Sequence, residues 1–207
     1  MFQFRSFIIT ISIIAFTCSA ANAQKKMDTF TMNHFGKTLD IKASERKSNG
    51  DFNLYIQAHS IDKLVNEVLL IIKRDNLTTF RAIIDTAEAI YSKWSDAAKT
   101  NNITELNKDI VIDKIDIDAS FIFEENRFFD TSVELKARFK IIDGKHLLII
   151  ENTEELVSET NKNIKSKGFY LLFNSTEELQ SFSSKISQES IKRFHTTGTE
   201  NHEIFKQ

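Results

Sequence analysis

Residues 28–59 read DTFTMNHFGKTLDIKASERKSNGDFNLYIQAH, three alternating runs separated by two polar breaks that hold Gly36 and Gly50. The chain has no proline, so its turns fall to Gly, Asn and Asp, and Asn49-Gly50 is a strong two-residue hairpin signal because a type I′ turn needs positive φ at both central positions. Taking Gly36-Lys37 as a turn pairs His34 with Leu39, Met32 with Ile41 and Phe30 with Ala43. Taking Asn49-Gly50 as the next pairs Ala43 with Ile56 and Ile41 with Ala58. Paired residues share a face, so Phe30, Met32, Leu39, Ile41, Ala43, Leu54, Ile56 and Ala58 gather on one side, with Lys42, Ser44, Tyr55 and Gln57 on the other. The expectation is a three-stranded antiparallel meander with one wet face. Residues 68–73, VLLIIK, add a strand apolar on both faces.

Beyond it, Leu77, Phe80, Ile84, Ala87, Tyr91, Trp94 and Ala98 recur at the three- and four-residue spacing of one helical stripe, which predicts a helix over 76–99 with Trp94 in the core. The order then repeats. Ile115 to Phe123 and Val133 to Ile141 alternate, Asp143-Gly144 makes a second hairpin signal, 169–173 is a short apolar strand, and Ser175-Thr176-Glu177-Glu178 is a capping box opening a helix over 176–194. Residues 153–167 are polar and predict an exposed excursion. The fold class expected is α+β: antiparallel meanders each followed by an amphipathic helix, ββββα twice, packed as one unit. The domain reading is a leader over 1–23, a first half over 24–103, a second half over 104–195 and a flexible tail over 196–207.

The leader is MFQFRSFIITISIIAFTCSAANA: Arg5, a ten-residue apolar run from Phe7 to Phe16, and the small-x-small site Ala21-Asn22-Ala23. Cleavage after Ala23 predicts a periplasmic or secreted protein without a membrane span, the apolar run being about half the ~20 residues that crossing needs. Cys18, the chain's one cysteine, is the alternative as an acylation site, but Ala15-Phe16-Thr17 lacks the small residue normally found just before such a cysteine. With Cys18 removed, no disulfide or thiolate chemistry remains. The net charge of −2, with both signs interspersed, offers no footprint for nucleic acid and no polybasic patch for lipid.

Motifs with chemistry are scarce. His34, His59, His146, His195 and His202 include no chelating pair on one element; the register above places His34 and His146 on apolar faces and His59 on the wet one. Asp109, Asp113, Asp116 and Asp118 do not match a calcium loop, and Asp116 and Asp118 read as the wet side of a strand. Ser44-Glu45-Arg46-Lys47 matches an SxxK pattern, yet Ser44 falls on a strand instead of a helix start. No glycine-rich phosphate cradle occurs. These residues imply no catalytic set, no metal and no cofactor. Most of the 18 Phe fall on apolar faces; Tyr55, Phe128, Phe129 and Tyr170 do not, and a ligand platform would be sought there first.

The segment Tyr91-Ser92-Lys93-Trp94-Ser95-Asp96-Ala97-Ala98-Lys99-Thr100-Asn101-Asn102 resembles a stretch of small signal-bearing proteins of Bacteroidetes. The resemblance implies a Gram-negative envelope and lends no catalytic residue. The functional expectation is an exported non-enzymatic protein of the envelope that binds another macromolecule. The alternatives are a carrier of a lipid or other apolar small molecule, since a curved sheet closed by helices can leave a cavity, and, third, a hydrolase.

Overall fold

The computed structural model describes residues 24–203, with side chains as far as Thr197. The leader, its cleavage site and Cys18 lie outside the described residues, as do residues 204–207. Among the described residues no helix is long and apolar enough to cross a membrane.

Four strands open the chain, β1 (Lys25–Met32), β2 (Lys37–Ala43), β3 (Asn53–Ser60) and β4 (Val65–Lys73), and a 3-10 turn, Arg74–Asn76, leads into helix α1 (Leu77–Thr100). Then come β5 (Leu106–Ile110), β6 (Asp116–Phe123), the 17-residue β7 (Asn126–Ile142), β8 (Lys145–Asn152), the short pair β9 (Leu156–Val157) and β10 (Lys165–Ser166), β11 (Phe169–Phe173), and helices α2 (Thr176–Lys185) and α3 (Gln188–Glu203). The sheet runs β1-β2-β3-β11-β8-β7-β6-β4, and β4 pairs back onto β3. The six strands β3, β4, β6, β7, β8 and β11 therefore close into an antiparallel barrel, with β1 and β2 continuing from β3 and β5 seated on β7.

This architecture is α+β and antiparallel as expected, but the two-fold ββββα order is not what organises it. The first half does run four strands and a helix; its strands, however, pair with those of the second half, β4 with β6 and β3 with β11. Alternation along a strand states which side faces the core and is silent about which neighbour the strand takes. The helices also differ from expectation after residue 175. The span 176–194 is broken because Ser187 Oγ accepts the amide of Ser190, capping a new helix, and that helix continues through Glu203 into the stretch expected as a tail.

The meander keeps its faces while losing its register. Phe30 pairs with Leu39, not Ala43, around a four-residue turn, and Ala43 pairs with Leu54, not Ile56. In the second hairpin the amide of Gly50 donates to the Lys47 carbonyl at 2.9 Å, with Gly50 at φ +87°, a turn followed by a bulge in place of the compact type I′ turn. Both shifts are by an even number of residues, so every apolar side chain stays on the core side. His34 moves off the apolar face and becomes an exposed turn residue. Asp143-Gly144 forms the expected turn, with φ of 49° and 72°. Glu124-Glu125, with φ of 47° and 65°, makes the same kind of turn between β6 and β7 without any of the residues that usually announce one.

One hydrophobic core runs through both halves. Phe182 of α2 sits 5.1 Å from Phe30 and 5.4 Å from Phe173 between ring centres, and Tyr91 and Trp94 of α1 meet Phe139 edge-on at 5.7 and 5.8 Å. Ser183 and Gln180 of α2 donate to Asp85 and Glu88 of α1. Trp94 is only partly buried, at the margin of the core, with the Lys108 ammonium 4.4 Å from its ring centre.

Candidate functional site

At one end of the barrel the chain leaves an aromatic patch in solvent. Asn33 to Gly36 turn β1 into β2, and Phe35 in that turn is 47% exposed. The turn is held from below. Glu178, buried near the start of α2, accepts the Asn33 amide through Oε1 at 2.8 Å and the Asn174 amide through Oε2 at 2.7 Å. The capping box seen in the sequence is thus half formed: Ser175 Oγ accepts the Glu178 amide, and the carboxylate ties helix to turn.

The Phe35 ring stacks on His59 at 5.5 Å and 11°. Tyr170 lies 4.9 Å from His59 and 6.0 Å from Phe35, and His34 meets Phe35 edge-on at 4.7 Å. His59 and Tyr170 are brought together by cross-strand pairing, since β11 joins β3 at these positions. Lys37 Nζ lies 3.2 Å from His59 Nδ1. An ammonium only donates, so Nδ1 accepts and the proton of the neutral ring sits on Nε2. Burial and, after it, the Lys37 charge hold the imidazole below its ordinary value, and burial pushes the Tyr170 hydroxyl up. His59 and Tyr170 are therefore uncharged at neutral pH, with Lys37 beside them. The patch can stack on an apolar or planar group.

The four expected platform residues do not assemble. Tyr170 alone joins the patch. Tyr55 is buried on the outer side of β3 with Leu69 and Ile71; Phe128 points inward against Phe121 at 5.8 Å; Phe129 of β7, 48% exposed, stands opposite Ser120 of β6. Phe35 and His59 are the members sequence reading passed over. The signal for Phe35 was present: a phenylalanine among Asn33, His34 and Gly36 has no alternating partner to bury it.

The other residues weighed in the sequence have separate places. His146 is half-buried on the core side of β8 beside Phe139, and His195 packs against Phe52; burial lowers both imidazoles. Asp109 bridges Arg138 at 3.0 Å and Asp118 bridges Lys73 at 2.8 Å. Ser44 is buried just beyond β2, not on the wet face, and its hydroxyl oxygen accepts the Asn53 amide. Among the described residues no group of three or more His, Cys, Asp or Glu side chains is placed to hold a metal ion.

A concavity of about 300 Å³ is lined by Asp116, Asp130, Glu134, Glu154 and Glu155, among others, beside the β9–β10 excursion. Asp130 Oδ2 accepts the Val157 amide at 2.7 Å and Thr131 donates to Glu159, which strap the excursion to β7. Burial raises the Asp130 carboxyl above the usual range, against the opposing pull of that amide.

Set against protein-family models, curated proteins and solved structures, the chain matches none of them.

Proposed function

We propose that this protein is an exported, non-enzymatic binding protein of a Gram-negative cell envelope, and that the patch around Phe35 is where it engages another macromolecule. The observation that carries the reading is Phe35 itself: a large ring, nearly half exposed, is fixed against His59 and Tyr170. Exposed aromatics that are also rigid lose little conformational entropy on contact and serve as anchors in interfaces. The carrier alternative has less in its favour, because a six-stranded barrel is narrower than the eight-stranded size whose interior side chains just fill, and its strands bear the fully buried Phe121, Phe139 and Phe173.

Placing a photo-crosslinking phenylalanine at position 35 in the native host tests the reading. The expected result is an adduct of defined mass in the envelope fraction, lost when Tyr170→Ser removes the support of the ring. Adducts no more abundant than those from exposed Thr78 would overturn it, and a small ligand retained in native mass spectrometry would favour the carrier.

A further inference from the structure

Independently of the aromatic patch, β5 leaves a strand edge open. In the β7–β8 hairpin the Asp143-Gly144 turn is closed by Ile142 and Lys145, which directs the backbone groups of the even-numbered residues of this part of β7 toward β8 and those of Phe139 and Ile141 toward β5. Lys108 opposite Phe139 and Leu106 opposite Ile141 then bond to β7. Asn107 and Asp109 point the other way. Each presents one N–H and one C=O to the open side, and no strand pairs there among the described residues. Asn107, Lys108 and Asp109 are exposed, and Val111, just past the strand, is 89% exposed.

A row of alternating donors and acceptors fits only another extended backbone. A second copy of this chain is disfavoured by its own charges. A two-fold axis makes the pairing antiparallel, and the outward residues must meet outward residues. Centred on Lys108, the pairing sets Lys108 against Lys108 of the second copy; centred on Asn107, it sets Asp109 against Glu105; centred on Asp109, it sets Asp109 against itself. Like charges directly opposite are destabilising. The same lysine that guards the edge against its own kind selects a partner of opposite charge. Lys108 shares its side of the sheet with Leu106 and Ile110, so the complementary strand carries an acidic residue flanked at two positions on either side by apolar ones.

We propose that the edge of β5 accepts, antiparallel, an extended segment of another polypeptide with the pattern apolar-x-acidic-x-apolar, its carboxylate opposite Lys108. The test uses two blocked heptapeptides, Thr-Val-Thr-Glu-Thr-Val-Thr and its Lys-centred counterpart, titrated to millimolar concentration into the purified protein while amide exchange is followed by NMR. The Glu peptide is expected to slow exchange at Asn107 and Asp109 and to bind about fivefold tighter than the Lys peptide. Lys108→Glu, a change at an exposed site, should invert that order. Equal binding of the two peptides, no protection of these amides, or their protection in a dimer of the protein alone would each overturn the proposal.

Discussion

Residues 25–100 and residues 106–203 each end in helix, yet they serve the barrel differently. The first half contributes one 24-residue helix, α1, whose buried stripe runs from Leu77 to Ala98, and two barrel strands with β1 and β2 attached as an apron. The second contributes four barrel strands, among them β7, whose register against β6 slips between Ile117 and Ala119 where Ser132 takes φ +64°. A bulge there lets one strand pair with β6 along its first part and with β5 along its last. The difference teaches that neither half holds a closed sheet. The seams are β4 with β6 and β3 with β11, and Phe182 of α2 completes the core on Phe30 of β1.

The most severe way to break that comparison is to separate the halves. Residues 24–103 expressed alone should be unfolded or aggregate, since β3 and β4 lose a barrel neighbour each, while the whole protein should melt in one transition by calorimetry. A well-dispersed NMR spectrum of the isolated first half would show that it needs no partner.

At the seam between β3 and β11, Gly168 has φ +106°, and a Cβ there would lie 2.0 Å from Asn152 Nδ2. Asn152 is buried and its Oδ1 accepts the Phe169 amide at 2.7 Å. Gly168→Ala therefore combines a disfavoured backbone with a collision into a buried, hydrogen-bonded side chain, and should cost about 3 kcal/mol or more in chemical denaturation. A loss under 1 kcal/mol would mean that the seam yields.

The helices sharpen the contrast. Phe182→Ala in α2 empties a site fully enclosed by Phe30 and Phe173 and should cost about 3–5 kcal/mol. Trp94→Ala in α1 removes a ring that is only partly buried and should cost about 2 kcal/mol, with native fluorescence between the buried and the free extremes. Equal losses at the two positions would place Trp94 deeper than the structure does.

The smallest effect concerns the strap on β7. Asp130 has a carboxyl raised chiefly by burial, so its protonated form is the one the fold prefers. The stability this contributes is complete below the unfolded-state value and is lost as pH rises through the higher folded-state value. Asp130→Asn, which keeps an acceptor for the Val157 amide, should thus leave stability unchanged at low pH and raise it slightly at neutral pH. Stability that falls at neutral pH would show the carboxylate's bond to Val157 outweighing its burial.

Much of the framework was readable from residues. The stripe from Leu77 to Ala98 locates α1 to within a residue at each end, 169–173 is β11 as expected, and the core faces of β1 to β3 were right despite two register errors, because only an odd slip changes a face. β5 was missed because LNKDI has no clean alternation, and the start of β7 because Glu124-Glu125 is not a turn sequence. Of the patch, Tyr170 was legible as a misplaced aromatic. Phe35 carried a signal of its own, but its meeting with His59 was not legible, since the two lie 24 residues apart and come together only through the folded turn.

The sequence by itself determined which face of β1 to β3 and of α1 turns to the main core, because hydrophobic periodicity is a local property that each strand or helix carries along its own length. Strand neighbours, the closure of the barrel and the stacking of Phe35 on His59 and Tyr170 were decided only in the tertiary structure. Backbone hydrogen bonds are the same for every strand, so the choice among partners falls to packing summed over the whole core and to turns whose lengths no short motif fixed.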